Sequence, residues 1–166
     1  AWLGYVGFAG GLPMWLFTLY GGILSDRLPR RSILLVTQAA MMATAGVLAL
    51  FTLSGIVKPW HIVVLSLVMG TANAFDAPTR MSFVRELVEK EDLANAIALN
   101  TTMFQLSVVI GPGIAGFVYA ALGPGWCFLF NAVSFLGIIA ALAMMRLPRG
   151  APAARGSALS DLRAGL

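Results

Sequence analysis

The chain holds one cysteine, Cys127, and one histidine, His61, in 166 residues. One thiol excludes an internal disulfide and a cysteine-rich metal site, and one imidazole excludes a histidine cluster. Charge is equally scarce. Charged residues make up 11% of the chain, against about 25% in ordinary soluble domains. The seven acids all fall in or beside short polar stretches, so none lies deep in an apolar run. A signal peptide is not expected at the start of this sequence, where Ala1 stands inside an apolar run. Neither a cofactor nor a metal is expected.

What is present in quantity is apolar surface. Hydrophobic residues form 59% of the chain and mean hydropathy is +0.86. A soluble fold of this size cannot hide so much, so lipid is the expected solvent and the bilayer the first partner. The net charge of +4 comes as short clusters between apolar runs, without a basic stripe along any segment, which argues against nucleic acid.

A helix needs about 20 apolar residues to cross the hydrocarbon core. The apolar runs accommodate spans at about 2–20, 33–53, 60–76, 98–122 and 126–145. The last two share one long run, interrupted at Leu122-Gly123-Pro124-Gly125-Trp126, where Gly and Pro punctuate the chain and Trp126 suits an interface. Charge supports this count. If five spans alternate, ten of the eleven basic residues fall on one face and Lys58 alone on the other; without the third span the split becomes 8 against 3. The positive-inside rule therefore places the loops at 21–32 and 76–92 and the tail after Met145 in the cytoplasm. The fold class expected is an all-α polytopic membrane protein. Ala1 begins inside an apolar run and the first span runs inward, so a preceding helix is expected.

The first basic loop reads Gly21-Gly22-Ile23-Leu24-Ser25-Asp26-Arg27-Leu28-Pro29-Arg30-Arg31-Ser32. Read plainly it is a short basic turn, with Asp26 and Arg30 four apart and able to pair on a helix. The pattern Gly22-x-Leu24-x-Asp26-Arg27-x-x-Arg30-Arg31 resembles the signature loop between the second and third helices of the major facilitator superfamily, with Pro29 where that family usually has glycine. The stretches Phe75-Asp76-Ala77-Pro78-Thr79-Arg80 and Asp92-Leu93-Ala94-Asn95-Ala96 resemble the following connection in the branch of macrolide-efflux and enterobactin-exporter proteins. Ser107 through Gly111-Pro112-Gly113 to Ala115-Gly116 is similar to the fifth-helix Gly-Pro motif of efflux antiporters, with Ser107 and Ala115 in place of glycines.

The resemblance implies that residues 1–146 are helices two to six of a twelve-helix fold, part of its N-terminal bundle, and that 147–166 begin the central cytoplasmic loop. It implies a multi-pass transporter of the plasma membrane, a bacterial inner membrane, exporting a drug-like compound or siderophore by alternating access, with protons as the coupling partner. The first helix and C-terminal bundle of the same protein would complete it. Gly22, Asp26, Arg27, Arg30, Arg31, Asp76 and Arg80 would form the cytoplasmic gate loop. Asp76 has two readings: a helix-end acid paired with Arg80, or the partner of Arg30 across the gate. Gly111, Pro112 and Gly116 form a helix-bend motif, since Pro112 removes the backbone bond to Val108. Asn73, Asn100 and Gln105 are the candidates for substrate contact, while Thr37 and Asn131 fall on helices expected at the periphery. Met81–Asp92 is expected to form a short amphipathic helix on the inner membrane surface, with Asp92 capping the next helix.

Two other classes stay open on the residues alone. A membrane-embedded enzyme would want paired intramembrane acids, a nucleophile with its base, or metal ligands, and these runs hold none. A receptor or assembly protein on the same scaffold is the third. The topology is directly testable. With Cys127 replaced, cysteines introduced at Gly55 and Gly150 should label from opposite sides of the membrane; labelling from one side would break the five-span arrangement.

Overall fold

In the computed structural model, residues 2–27 and 29–145 are described, with the backbone alone for 18–27. They form helices α1 (Trp2–Arg27), α2 (Arg30–Leu53), α3 (Pro59–Leu87), α4 (Leu93–Leu122) and α5 (Pro124–Met144), and no strand occurs among the described residues. Helices α2 to α5 are each long and apolar enough to cross a membrane. Helix is what lipid demands: a backbone group left without a partner there costs several kcal/mol, and a helix satisfies nearly all of its own.

The breaks follow local chemistry. Pro29 separates α1 from α2, and its carbonyl accepts from Ser32 and Ile33 at 2.8 and 3.2 Å to open α2. At the far end of α2 the Phe51 carbonyl accepts from both Ile56 and Val57 at 3.1 Å, closing the turn before Pro59 starts α3. Between α4 and α5 the connection is a single residue. Gly123 has φ +88°, a conformation that side chains resist, and its N–H closes α4 on the Tyr119 carbonyl at 2.9 Å. Pro124 then takes the first position of α5, where its missing N–H costs nothing.

Two expectations are corrected here. The short third span and the separate surface helix are one helix, α3, of 29 residues. The segment after Pro78 keeps its helical course because it has a place to pack: Phe83 is buried with Leu34 of α2 and Leu142 of α5. Asp92 makes no side-chain cap; its carbonyl accepts from Ala96 at 2.9 Å, and α4 starts at Leu93.

The helices pair tightly in two places. α1 lies on α3 with no side chain between them at the crossing: a Cβ on Gly70 would sit 2.2 Å from the Gly10 carbonyl oxygen. Pro13 and Ala74 are buried in the same contact, and the Phe17 and Phe75 rings meet at 5.8 Å. α2 packs against both α3 and α5 through a stripe at helical spacing: Leu34, Thr37, Gln38, Met41, Ala45 and Ala49. At its end, Leu53 fills the space a side chain on Gly125 of α5 would need. α4 differs from the rest. It touches the edges of α5 and α3, and no residue along its 30 is buried among the described residues.

The crossing at Gly70 sets a sharp size limit. Gly70→Ala should destabilise the full-length protein by roughly 1–3 kcal/mol through overpacking. Gly137→Ala, on α5 with nothing within 4 Å of the new methyl, should not. Thermal unfolding in detergent compares them; equal midpoints would refute the backbone contact.

Candidate functional site

One carboxylate joins α2 and α3. Asp76 sits on α3 and is 4% exposed. Its Oδ1 accepts from Thr37 Oγ1 and Gln38 Nε2, both at 2.8 Å and both from α2. Its Oδ2 accepts from Arg80 Nη2 at 2.7 Å and Nε at 3.2 Å, one helical turn further along α3. A buried charge is tolerated only when paired and fully hydrogen-bonded, and four donors meet the acceptor capacity of a carboxylate. Arg80 keeps its side chain 44% exposed, so it brings its own charge to the site while staying partly solvated. Gln38 is 1% exposed, and its Oε1 finds no donor among the described residues. That orphaned acceptor is the cost of turning the amide's NH2 toward Asp76.

Two arginines at the start of α2 extend the cluster. Arg30 donates to the Ser82 carbonyl at 3.3 Å and pairs with Glu86, both in the last turns of α3. Arg31 Nη2 donates to the Ala143 carbonyl at 2.6 Å, in the last turn of α5. Helix C-termini leave carbonyls without intrahelical partners and carry partial negative charge, so cationic donors suit them. Adjacent residues of one helix thus tie down the ends of two others.

The sequence-derived candidates divide as follows. Of the two partners weighed for Asp76, the structure places Arg80 on the carboxylate, while Arg30 reaches Glu86. The backbone of Gly22, Asp26 and Arg27 continues α1 as helix, so Gly21-Gly22 make no turn; the side chains of this stretch lie outside the described residues, as does Leu28. The tail from residue 146 onward also lies outside them. Gly111, Pro112 and Gly116 sit on α4, whose helix continues through Pro112, and a Cβ on either glycine would meet nothing within 4 Å.

Asn73 lines a cavity of about 320 Å³ between α1, α2, α3 and α5, together with Gly7, Gly10, Thr44, Ser66 and Asn131. Its Nδ2 donates to the Met69 carbonyl at 3.2 Å. Asn100 and Gln105, on α4, do not line that cavity. Asn131, on α5, faces the cavity, and Thr37, on α2, holds Asp76. Two further residues were not singled out from the sequence: Glu86, which pairs with Arg30, and Gly10, at the crossing with α3. The signal for Thr37 and Gln38 was visible as two adjacent polar residues inside an apolar run, but their partner lies 38 and 39 residues away.

The family profile of transmembrane secretion effectors covers residues 2–166. The chain belongs to that family, within the major facilitator superfamily. It is similar to the staphyloferrin A transporter of Staphylococcus aureus, 23% identical over 81% of this chain and 34% of that protein. It is 29% identical to the multidrug efflux pump Tap of Mycolicibacterium fortuitum over 94% of this chain and 39% of the pump. Macrolide efflux protein A of Streptococcus pyogenes is 21% identical over 84% of this chain and 35% of its own length. The chain therefore spans between a third and two fifths of these relatives. No solved structure gives a significant match. The family and these relatives are transporters rather than enzymes.

The carboxylate cluster predicts a ranking. Hydrogen bonds to a charged group contribute roughly 1.5–3 kcal/mol each. Asp76→Asn should therefore lower the thermal midpoint of the full-length protein more than Thr37→Val. The double variant should fall short of the sum, because the two share one bond. Additive losses in a double-mutant cycle would show that Thr37 and Asp76 do not act together.

Proposed function

We propose that the full-length protein is a secondary transporter of the plasma membrane that exports a small molecule, drug-like or siderophore-like, in exchange for protons. The reading is carried by the family match along the whole chain. The relatives' names supply the direction and the substrate classes: an efflux pump, a macrolide efflux protein and a siderophore transporter. The ten-to-one distribution of basic residues supports a cytoplasmic position for the end that carries Asp76.

On this reading the Arg30, Arg31 and Asp76 contacts hold α2, α3 and α5 together as one half of a rocking pair. The loop of Gly22, Asp26 and Arg27 faces the opposing bundle and closes the cytoplasmic side in the outward-facing state. The first helix and the C-terminal bundle cover α4, whose Gly111-Pro112-Gly116 stretch is then a small-residue pivot. Asn73, Asn100 and Gln105 serve as substrate contacts, and Asn131 joins Asn73 on the cavity. The described spans hold no acid at mid-membrane, so the proton-carrying carboxylate belongs to helices outside this chain.

Flux in proteoliposomes containing the full-length protein tests this. A macrolide, a cationic dye and a ferric siderophore should be assayed with and without a proton gradient. Gradient-driven flux of at least one is expected. Asp26→Asn should cut it about tenfold, the effect of ~1.4 kcal/mol on the gate equilibrium. Flux that only follows its own concentration gradient would replace exchange with facilitated diffusion. No flux from folded protein would favour the receptor or assembly reading.

A further inference from the structure

At the end of the bundle opposite Asp76, α3 opens on a closed pair of hydrogen bonds. The Lys58 backbone N–H donates to His61 Nδ1 at 3.0 Å, and the His61 N–H donates to the Lys58 carbonyl at 2.9 Å. A backbone N–H can only donate, so Nδ1 must present its lone pair and the ring proton sits on Nε2. Once Nδ1 carries a proton, this bond cannot exist.

The same imidazole touches two rings. Its centroid lies 3.9 Å from that of Trp60 and 4.8 Å from that of Phe51. Phe51 belongs to the last turn of α2, and its carbonyl holds the Ile56 and Val57 amides. His61 therefore joins the start of α3, the end of α2 and the turn between them. No acid faces it: by sequence, this end of the helices carries Lys58 as its only fixed charge, with Tyr5 on α1, Tyr119 on α4 and Cys127 on α5 as the other titratable side chains. An imidazolium here would stand beside the Lys58 ammonium and the positive end of α3, which repel it. That repulsion, together with the lost acceptor, moves the ring away from the Lys58 amide.

We infer that His61 is a pH-sensitive cap, which closes the α2–α3 connection while its ring is neutral and opens it when the ring is protonated. The device stands apart from the transport reading, because it needs only the hydrogen bonds and ring contacts at this end. It gives the side of the membrane carrying Lys58 a means to loosen the α2–α3 hairpin as that side acidifies.

Hydrogen–deuterium exchange on the full-length protein in nanodiscs tests it, from about pH 5 to 8, where imidazole ordinarily titrates. Rates are corrected for the intrinsic pH dependence of amide exchange. Protection at Lys58 should fall about fivefold on the acid side, as for the loss of an ordinary helix cap. Peptides from α4 should show no matching change. His61→Gln, which offers an acceptor that does not titrate, should make Lys58 protection independent of pH. Constant protection in the wild type would overturn the inference. So would an equal loss in α4, or a pH dependence that survives in His61→Gln. Should the variant fail to fold, the wild-type titration alone decides.

Discussion

A carboxylate that water barely reaches must be given all its hydrogen bonds by the protein, and Asp76 receives them from two helices at once. This requirement organises the half of the bundle that carries Asp76. Thr37 and Gln38 must face α3, so the rotation of α2 about its own axis is set. With α2 so turned, Leu34 and Met41 fall on the buried side, and Leu34 meets Phe83 and Leu142. Arg30 and Arg31, at the first turn of the same helix, are then carried to the ends of α3 and α5. Apolar side chains in lipid gain little from choosing one neighbour over another. Directional polar bonds supply the choice that hydrophobicity cannot.

The two families of contact divide the labour along the membrane normal. Near the middle, α1 and α3 approach through Gly10 and Gly70, where close backbone contact replaces side-chain packing. At the end that carries Asp76, charge-assisted bonds fasten α2 to α3 and α5. At the other end, the link between α2 and α3 is the His61 ring and its cap, with Leu53 against Gly125 beside it. α4 takes part in none of these. The relatives named above are about two and a half times as long as this chain.

Much of this was legible in the amino-acid sequence, for reasons that differ by element. The helices announce themselves because lipid demands long apolar runs, and the break at Gly123 is written in backbone chemistry. The basic loop at 21–32 was legible as a family motif, and Arg80 as a partner of Asp76 because four residues make a helical turn. Long-range pairings were not legible. Nothing local says that Gln38 rather than Asn131 should meet Asp76, or that Gly10 rather than Gly7 should touch Gly70, since those choices depend on how helices rotate against each other. The surface helix after Pro78 failed for a related reason. Amphipathic spacing shows that Phe83 wants burial, but lipid headgroups and a neighbouring helix satisfy that want equally well on paper.

The Gly10–Gly70 contact has a mechanical meaning. Two helices that touch through side chains can slide a little, because rotamers swing and methylenes give way. Two backbones in direct contact have no such compliance. α1 and α3 must travel as a single rod pair, and any relative motion in this bundle is displaced to seams where side chains still intervene.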